Sequence, residues 1–135
     1  SDGTEEDKAY DQTGDSNRHC ANNYWAGAKK ACDQKNMALP TLAQLAQLAS
    51  ELYVNSSDGS AVTIGANEDK RGLKVKDEYT QNPPIKYISY LYWSSEEYNA
   101  GCAYGRYFHT ASTNGSGNDW YYKRYSLYRA VCISN

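Results

Sequence analysis

After residue 85 the only carboxylates are Glu96, Glu97 and Asp119, and the only imidazoles in the chain are His19 and His109. Side chains of these types carry general acid–base catalysis, but each needs a partner within hydrogen-bond reach to tune it. The two histidines stand far apart, with no Ser or Asp pattern around them. Glu96 has no second carboxylate whose supporting geometry can be named from spacing. A hard cation wants six to eight oxygen ligands, more than these acids supply. The four cysteines, Cys20, Cys32, Cys102 and Cys132, show neither CxxC nor a Cys/His cluster, which leaves no zinc pattern. The reading is a non-enzymatic chain without metal or cofactor. An even number of cysteines points instead to two disulfides made in an oxidising compartment. Three pairings are possible, and spacing does not choose among them.

What the chain does carry in excess is aromatic surface. Fourteen tyrosines accompany a single phenylalanine; eleven of them fall in residues 79–135, beside two of the three tryptophans. Tyr and Trp give rigid, amphipathic contact area and Arg adds forked hydrogen bonds, the properties of binding hot spots and paratopes. Tyr98, Asn99, Gly105, Tyr107, His109, Trp120, Tyr122 and Arg124 are the candidate ligand-binding residues. Trp93 is expected in the core, as most tryptophan surface is buried. For Arg106, either the strand register slips or the side chain reaches a partner such as Glu96 or Glu97, because a buried unpaired arginine is too costly.

These residues need elements to hold them. The first 19 residues, acidic and polar with one aromatic, read as an irregular arm, and residues 20–135 as one domain. Asn22 or Asn23 can cap a first helix, "YWAGAKKACDQK", in which Trp25, Ala28 and Cys32 share a face. "NMALP" breaks that helix at Pro40. Thr41 and Gln44 have capping-box spacing, and Leu42, Leu45, Leu48, Ala49 and Leu52 keep helical period. A long excursion rich in Gly, Asn, Asp and Pro follows, with one short strand expected at 61–64. Strands are then expected at 87–94, 102–110, 119–125 and 127–133, separated by "SEEYNAG", "ASTNGSGN" and a tight turn near Ser126. On the second of these, alternation puts Cys102, Tyr104, Arg106 and Phe108 on one face and Ala103, Gly105, Tyr107 and His109 on the other, outward one. Helices followed by antiparallel strands make the class α+β.

The bulk properties narrow the partners. A net charge of −2 with acids and bases mixed gives no basic stripe for nucleic acid. The interleaved "YYKRY" at 121–125 could stack bases but lacks surrounding positive charge. No run of about 18 apolar residues is present, so no membrane contact is expected from this segment.

Two segments together resemble the C-type-lectin-like fold in its bacterial and phage branch. The first is "YWAGAKKACDQKNMALPTLAQLAQL" (24–48), similar to that branch's W-x-x-A-x-x-x-C helix, L-P-T and second helix. The second is "YWSSEEYNAGCAYGRYF…YRAVCI" (92–133), similar to its YWSS(S/T)E strand-turn, aromatic strand and final strand ending in V-C. The resemblance implies two helices flanking a twisted antiparallel sheet, with the chain's first and last strands near each other. It also implies a Cys32–Cys132 disulfide, which leaves Cys20 with Cys102. The Glu-Pro-Asn, Gln-Pro-Asp and Trp-Asn-Asp calcium ligands of the vertebrate sugar-binding members are missing, so calcium-dependent sugar binding is not implied. Formylglycine-generating enzymes share the broad fold, but their chemistry rests on a reactive cysteine pair, which two disulfides would consume.

The resemblance implies an extracellular or cell-surface recognition and adhesion domain, bacterial or phage-associated. It would bind a protein or glycan through its C-terminal strands, as variable proteins diversified by retroelements do. The alternatives are a pilin-like filament head with filament or oligomer neighbours, and a relative of the formylglycine-generating enzymes.

Overall fold

A computed structural model describes residues 24–85, 88, 91–110, 115–122 and 128–134. The acidic arm, Cys20, Arg124 and the turn near Ser126 lie outside them. The first helix, α1, runs Tyr24–Asp33 and buries Trp25, Ala28, Ala31 and Cys32, the stripe set by its spacing. Lys29 and Lys30 stay exposed, and the Lys29 ammonium lies 4.4 Å over the Trp25 ring, a cation–π contact. The helix closes through Asn36 at φ 56°, the left-handed conformation that Asn tolerates at a helix end. The chain reverses there into β1, Met37–Ala38.

The second helix, α2, spans Leu42–Leu52 and is capped as its sequence requires. The Gln44 amide donates to Thr41 Oγ1 and the Thr41 amide to Gln44 Oε1, at 3.1 and 2.9 Å. Leu42, Leu45, Ala46, Ala49 and Leu52 are buried. The helix runs straight into β2, Tyr53–Asn55, which pairs antiparallel with β3, Leu73–Val75. The strand expected at 61–64 is only a bridge between Val54 and Ala61. Val62 and Ile64 are buried, but the Ile64 amide donates to Ser50 Oγ on α2 rather than to a neighbouring strand.

Strands β4 (Leu91–Asn99), β5 (Cys102–Phe108) and β6 (Ser116–Tyr122) form a three-stranded antiparallel sheet in that order. "SEEYNAG", expected as a turn, mostly prolongs β4 through a register shift around Glu97, and the reversal narrows to Ala100–Gly101. Strand β6 begins three residues before its expected start. Of the segment expected as strand 127–133, Arg129 exchanges backbone hydrogen bonds with β4 in parallel, and β7 (Ile133–Ser134) pairs with β1. The described chain is therefore α+β, with two helices and three antiparallel sheets.

Neighbouring residues of β4 face opposite ways, and each face meets one helix. Tyr92 packs edge-on to Phe108, centroids 5.7 Å apart, in a core with Leu45, Ala49 and Leu52 of α2 and with Ile85 and Val131. Trp93 and Ala103 pack on the other face with Trp25, Ala28 and Cys32 of α1. Cys32 bonds Cys132 at Cα–Cα 5.4 Å across 100 residues of sequence, the pairing that the resemblance implied. In the chain-entropy model a loop of that length contributes roughly 4–5 kcal/mol.

Of the two expected bridges one is found, and Cys20, the expected partner of Cys102, lies outside the described residues. Cys102 keeps a free thiol, buried at the start of β5, and only one disulfide is present among the described residues. A free buried cysteine behaves as a small apolar side chain.

Arg106 departs from expectation most. It is fully buried, yet it reaches neither Glu96 nor Glu97. Its Nη1 donates to Ser116 Oγ at 3.1 Å, and its Nη2 to the carbonyl of Glu68 at 2.8 Å, with those of Gly65 and Ala66 at 3.3 and 3.5 Å. Burial pulls the guanidinium pKa down and Asp69 pushes it back up; a guanidinium stays charged in proteins regardless. Arg106→Met should cost about 1–3 kcal/mol in urea unfolding, because it removes charge-assisted hydrogen bonds that tie the 65–68 segment to the sheet and takes the donor from the buried Ser116 hydroxyl. Arg106→Lys should recover part of that, since it keeps the charge but not the fork.

Tyr53, also buried, donates its hydroxyl to the His109 carbonyl at 2.6 Å. Burial pushes its pKa well above the ordinary 10.0. A raised folded-state pKa means that the unfolded chain loses this proton first, so the stability is complete below pH 10 and falls as pH rises beyond it. Phenolate absorbance should show this tyrosine ionising only together with loss of near-UV circular dichroism.

Candidate functional site

The two sequence segments that carry the resemblance bind each other. The Ser95 amide donates to the Pro40 carbonyl at 2.8 Å, and Trp25 Nε1 to the Ser94 carbonyl at 2.8 Å. Glu96 Oε2 accepts from the Leu42 amide at 2.6 Å. That carboxylate sits at the N-terminus of α2, where an unpaired N–H and the helix dipole both favour negative charge. Ser94 Oγ donates to the Tyr104 carbonyl at 2.7 Å and accepts from the Glu96 amide at 3.1 Å. The Ser-Ser-Glu group thus joins the helix pair to the sheet, and Glu96 is occupied by a helix end.

Beyond this joint, β4 to β6 carry an open aromatic face. The register sets Tyr104 opposite Trp120. Tyr98 stacks on Trp120, centroids 5.4 Å apart and planes within 12°, and meets Tyr104 edge-on at 5.6 Å and 89°. Tyr98 is 48% exposed and Trp120 40%, the two large apolar side chains most open to solvent among the described residues. Ordinarily such rings would be covered. Here Tyr104 supports them from below, half-buried, and fixes their edge contact. Asn99 stands next to Tyr98, exposed, with Oδ1 accepting from the Gly101 amide at 2.9 Å to close the β4–β5 turn.

The eight candidate residues do not share one face. Tyr98 and Trp120 lie on the side of Tyr104, and the backbone of Tyr122 pairs with Cys102, next along that alternation. Gly105, Tyr107 and His109 lie on the opposite side. Tyr107 and His109 touch through their rings at 4.9 Å, both half-buried. Gly105 is buried and spacer-like: a Cβ there would come within 2.8 Å of Leu91 Cδ2 and of the Tyr92 carbonyl. Gly117, opposite Tyr107, leaves the space into which the Tyr107 hydroxyl and the Asp69 carboxylate converge. Arg124 lies outside the described residues. Tyr104 and Asp69 are not among the sequence candidates: alternation sets Tyr104 on the face opposite the outward one, and Asp69 is distant in sequence from the strand residues that it meets.

An apolar cleft of about 210 Å³ lies elsewhere, between α2, β1 and β7, lined among others by Met37, Leu45, Leu48, Ile85 and Ile133. Its lining carries no acid or base that could act on a substrate. Among the described residues, no three His, Cys, Asp or Glu side chains are grouped to hold a metal ion. Compared with models of known families, with curated proteins and with solved structures, the chain matches none.

Cys102 is only 4% exposed. Iodoacetamide should leave it unmodified in the native protein and label it in guanidinium without reductant. A Cys102 that labels only after reduction would mean a second bridge and overturn the free-thiol assignment.

Proposed function

We propose that the chain is a non-enzymatic recognition domain of C-type-lectin-like fold that binds a protein or a glycan through its C-terminal strands. The observation that carries this is the exposed Tyr98–Trp120 stack braced by Tyr104, an apolar surface left open to solvent. Ring pairs of this kind give large contact area at little entropic cost, since each has two rotatable side-chain bonds. The fold assignment is supported by the two resembling segments docking on one another and by the Cys32–Cys132 bridge.

An extracellular or cell-surface place, bacterial or phage-associated, agrees with that disulfide. No helix among the described residues is long and apolar enough to cross a membrane. The tyrosine surplus over phenylalanine fits a variable protein diversified by a retroelement, with adhesion as its role. The free thiol at Cys102 is the one feature that favours a relative of the formylglycine-generating enzymes; its burial argues against a working nucleophile.

The test is a binding screen against an immobilised glycan panel and a panel of surface proteins, followed by substitution. Tyr98→Ala and Trp120→Ala should each weaken a hit by roughly 30-fold, the loss typical of an aromatic hot spot, without changing the circular dichroism. A hit that survives both substitutions removes the ring surface as the binding site.

A further inference from the structure

The excursion between β2 and β3 ends in a corner made of Lys70, Arg71 and Gly72. Arg71 and Gly72 are exposed. Gly72 has φ 70°, and a Cβ there would meet only Ser56 Oγ, at 4.0 Å, so the space beside the Arg71–Gly72 peptide bond is open. Two basic residues followed by glycine suit a trypsin-like serine protease. Its acidic specificity pocket takes the arginine, and glycine puts no side chain in the way of the cut. Such a protease also needs backbone, because it holds its substrate as an extended strand and pairs with alternate residues of it. Lys70 exchanges both backbone hydrogen bonds with Ser116, at 2.8 and 2.9 Å. The backbone groups of Asp69 and Arg71, on either side, take no hydrogen bond among the described residues. These two are the alternate pair left for a protease.

Both sides of the bond are anchored elsewhere. On the N-terminal side the Glu68 carbonyl accepts from Arg106 at 2.8 Å, the Asp69 carboxylate from the Asn118 amide at 3.0 Å, and Lys70 is tied to Ser116. On the C-terminal side the Gly72 carbonyl accepts from the Ser56 amide at 2.8 Å, and Leu73 is buried in the core. The bond also falls inside the 100 residues that separate Cys32 from Cys132. A cut there leaves one of these cysteines on each piece, and the disulfide joins the pieces.

We infer that the Arg71–Gly72 bond is a processing site, at which a trypsin-like serine protease converts the protein into two chains held together by the Cys32–Cys132 disulfide and a shared core. Hydrolysis adds one water across the bond. Its oxygen goes to the Arg71 carbonyl carbon, which becomes a carboxylate, and the Gly72 nitrogen leaves as an ammonium group. Neither new charge has to be buried, since both residues are exposed. Tyr98, Tyr104 and Trp120 all stay on the C-terminal piece, so the cut leaves the ring face whole. The inference does not depend on what the rings bind.

The experiment treats the native, oxidised protein with a trace of trypsin and follows the fragments by mass spectrometry, with and without reductant. The Arg71–Gly72 bond should open at least about tenfold faster than the Lys30–Ala31 bond inside α1, because cleavage of a native chain tracks how readily each segment opens. The two pieces should stay joined until reductant is added, and the near-UV circular dichroism of the nicked protein should match that of the intact one. Lys70→Gln/Arg71→Gln should abolish this cut and leave the other tryptic cuts unchanged. An Arg71–Gly72 bond that opens no faster than Lys30–Ala31 overturns the inference, because the corner is then not presented to a protease. So does a nicked protein that loses its near-UV circular dichroism, since the anchors then do not hold the pieces.

Discussion

A guanidinium buried in a domain of this size needs acceptors, and Arg106 finds them for its two terminal nitrogens in a serine hydroxyl and backbone carbonyls rather than in acid, while its buried Nε has none. Two of its nitrogens reach Ser116 and the carbonyls of the 65–68 segment. This ties an excursion with little regular structure to the middle of the sheet. Ser116 Oγ in turn donates to the Tyr107 carbonyl at 2.8 Å, so β5 and β6 are locked in register at the same point. The anchor also sets the sheet's orientation. With Arg106 pointing to the α2 side, alternation sends Tyr107 to the other face and Tyr104 to the same one. The position of the aromatic surface follows from where a single charge is buried.

The second organising joint couples segments more than fifty residues apart. Pro40, Thr41 and Leu42 begin α2, and Ser94, Ser95 and Glu96 leave the core part of β4; each group supplies what the other lacks. The α2 N-terminus needs an acceptor for the Leu42 amide, and Glu96 provides a charged one. The Ser95 amide needs a carbonyl, and Pro40, which precedes the helix, has one to give. Glu96 had the chemistry of a catalytic acid on paper. In the fold it serves as the counter-charge at the N-terminus of α2.

Much of the helical half was legible in the sequence because its signals are local. Thr41 and Gln44 make a capping box within one turn, and the apolar positions of both helices repeat at a spacing that leaves one buried face. The sheet half was legible in kind but not in placement. "SEEYNAG" has the composition of a turn, yet most of it extends β4, because a register shift absorbs the mismatch that a turn would have relieved. The beginning of β6 was misplaced for a related reason. Ser116, Gly117 and Asn118 are poor strand formers, and what holds them is distant: Lys70, Asp69 and Arg106.

By itself the sequence determined two amphipathic helices, an aromatic antiparallel region and a face alternation along each strand, all consequences of spacing within a few residues. Tertiary structure decided how those faces align between strands, since parity does not carry across a loop whose closure is unknown. That alignment put Trp120 with Tyr98 and Tyr104 and away from Tyr107 and His109. It also decided that Arg106 would reach carbonyls and a serine hydroxyl rather than an acid, and that Cys102 would carry a free thiol. Partners for a charge or a sulfur are chosen by proximity in space, and proximity between distant residues exists only once the chain has folded.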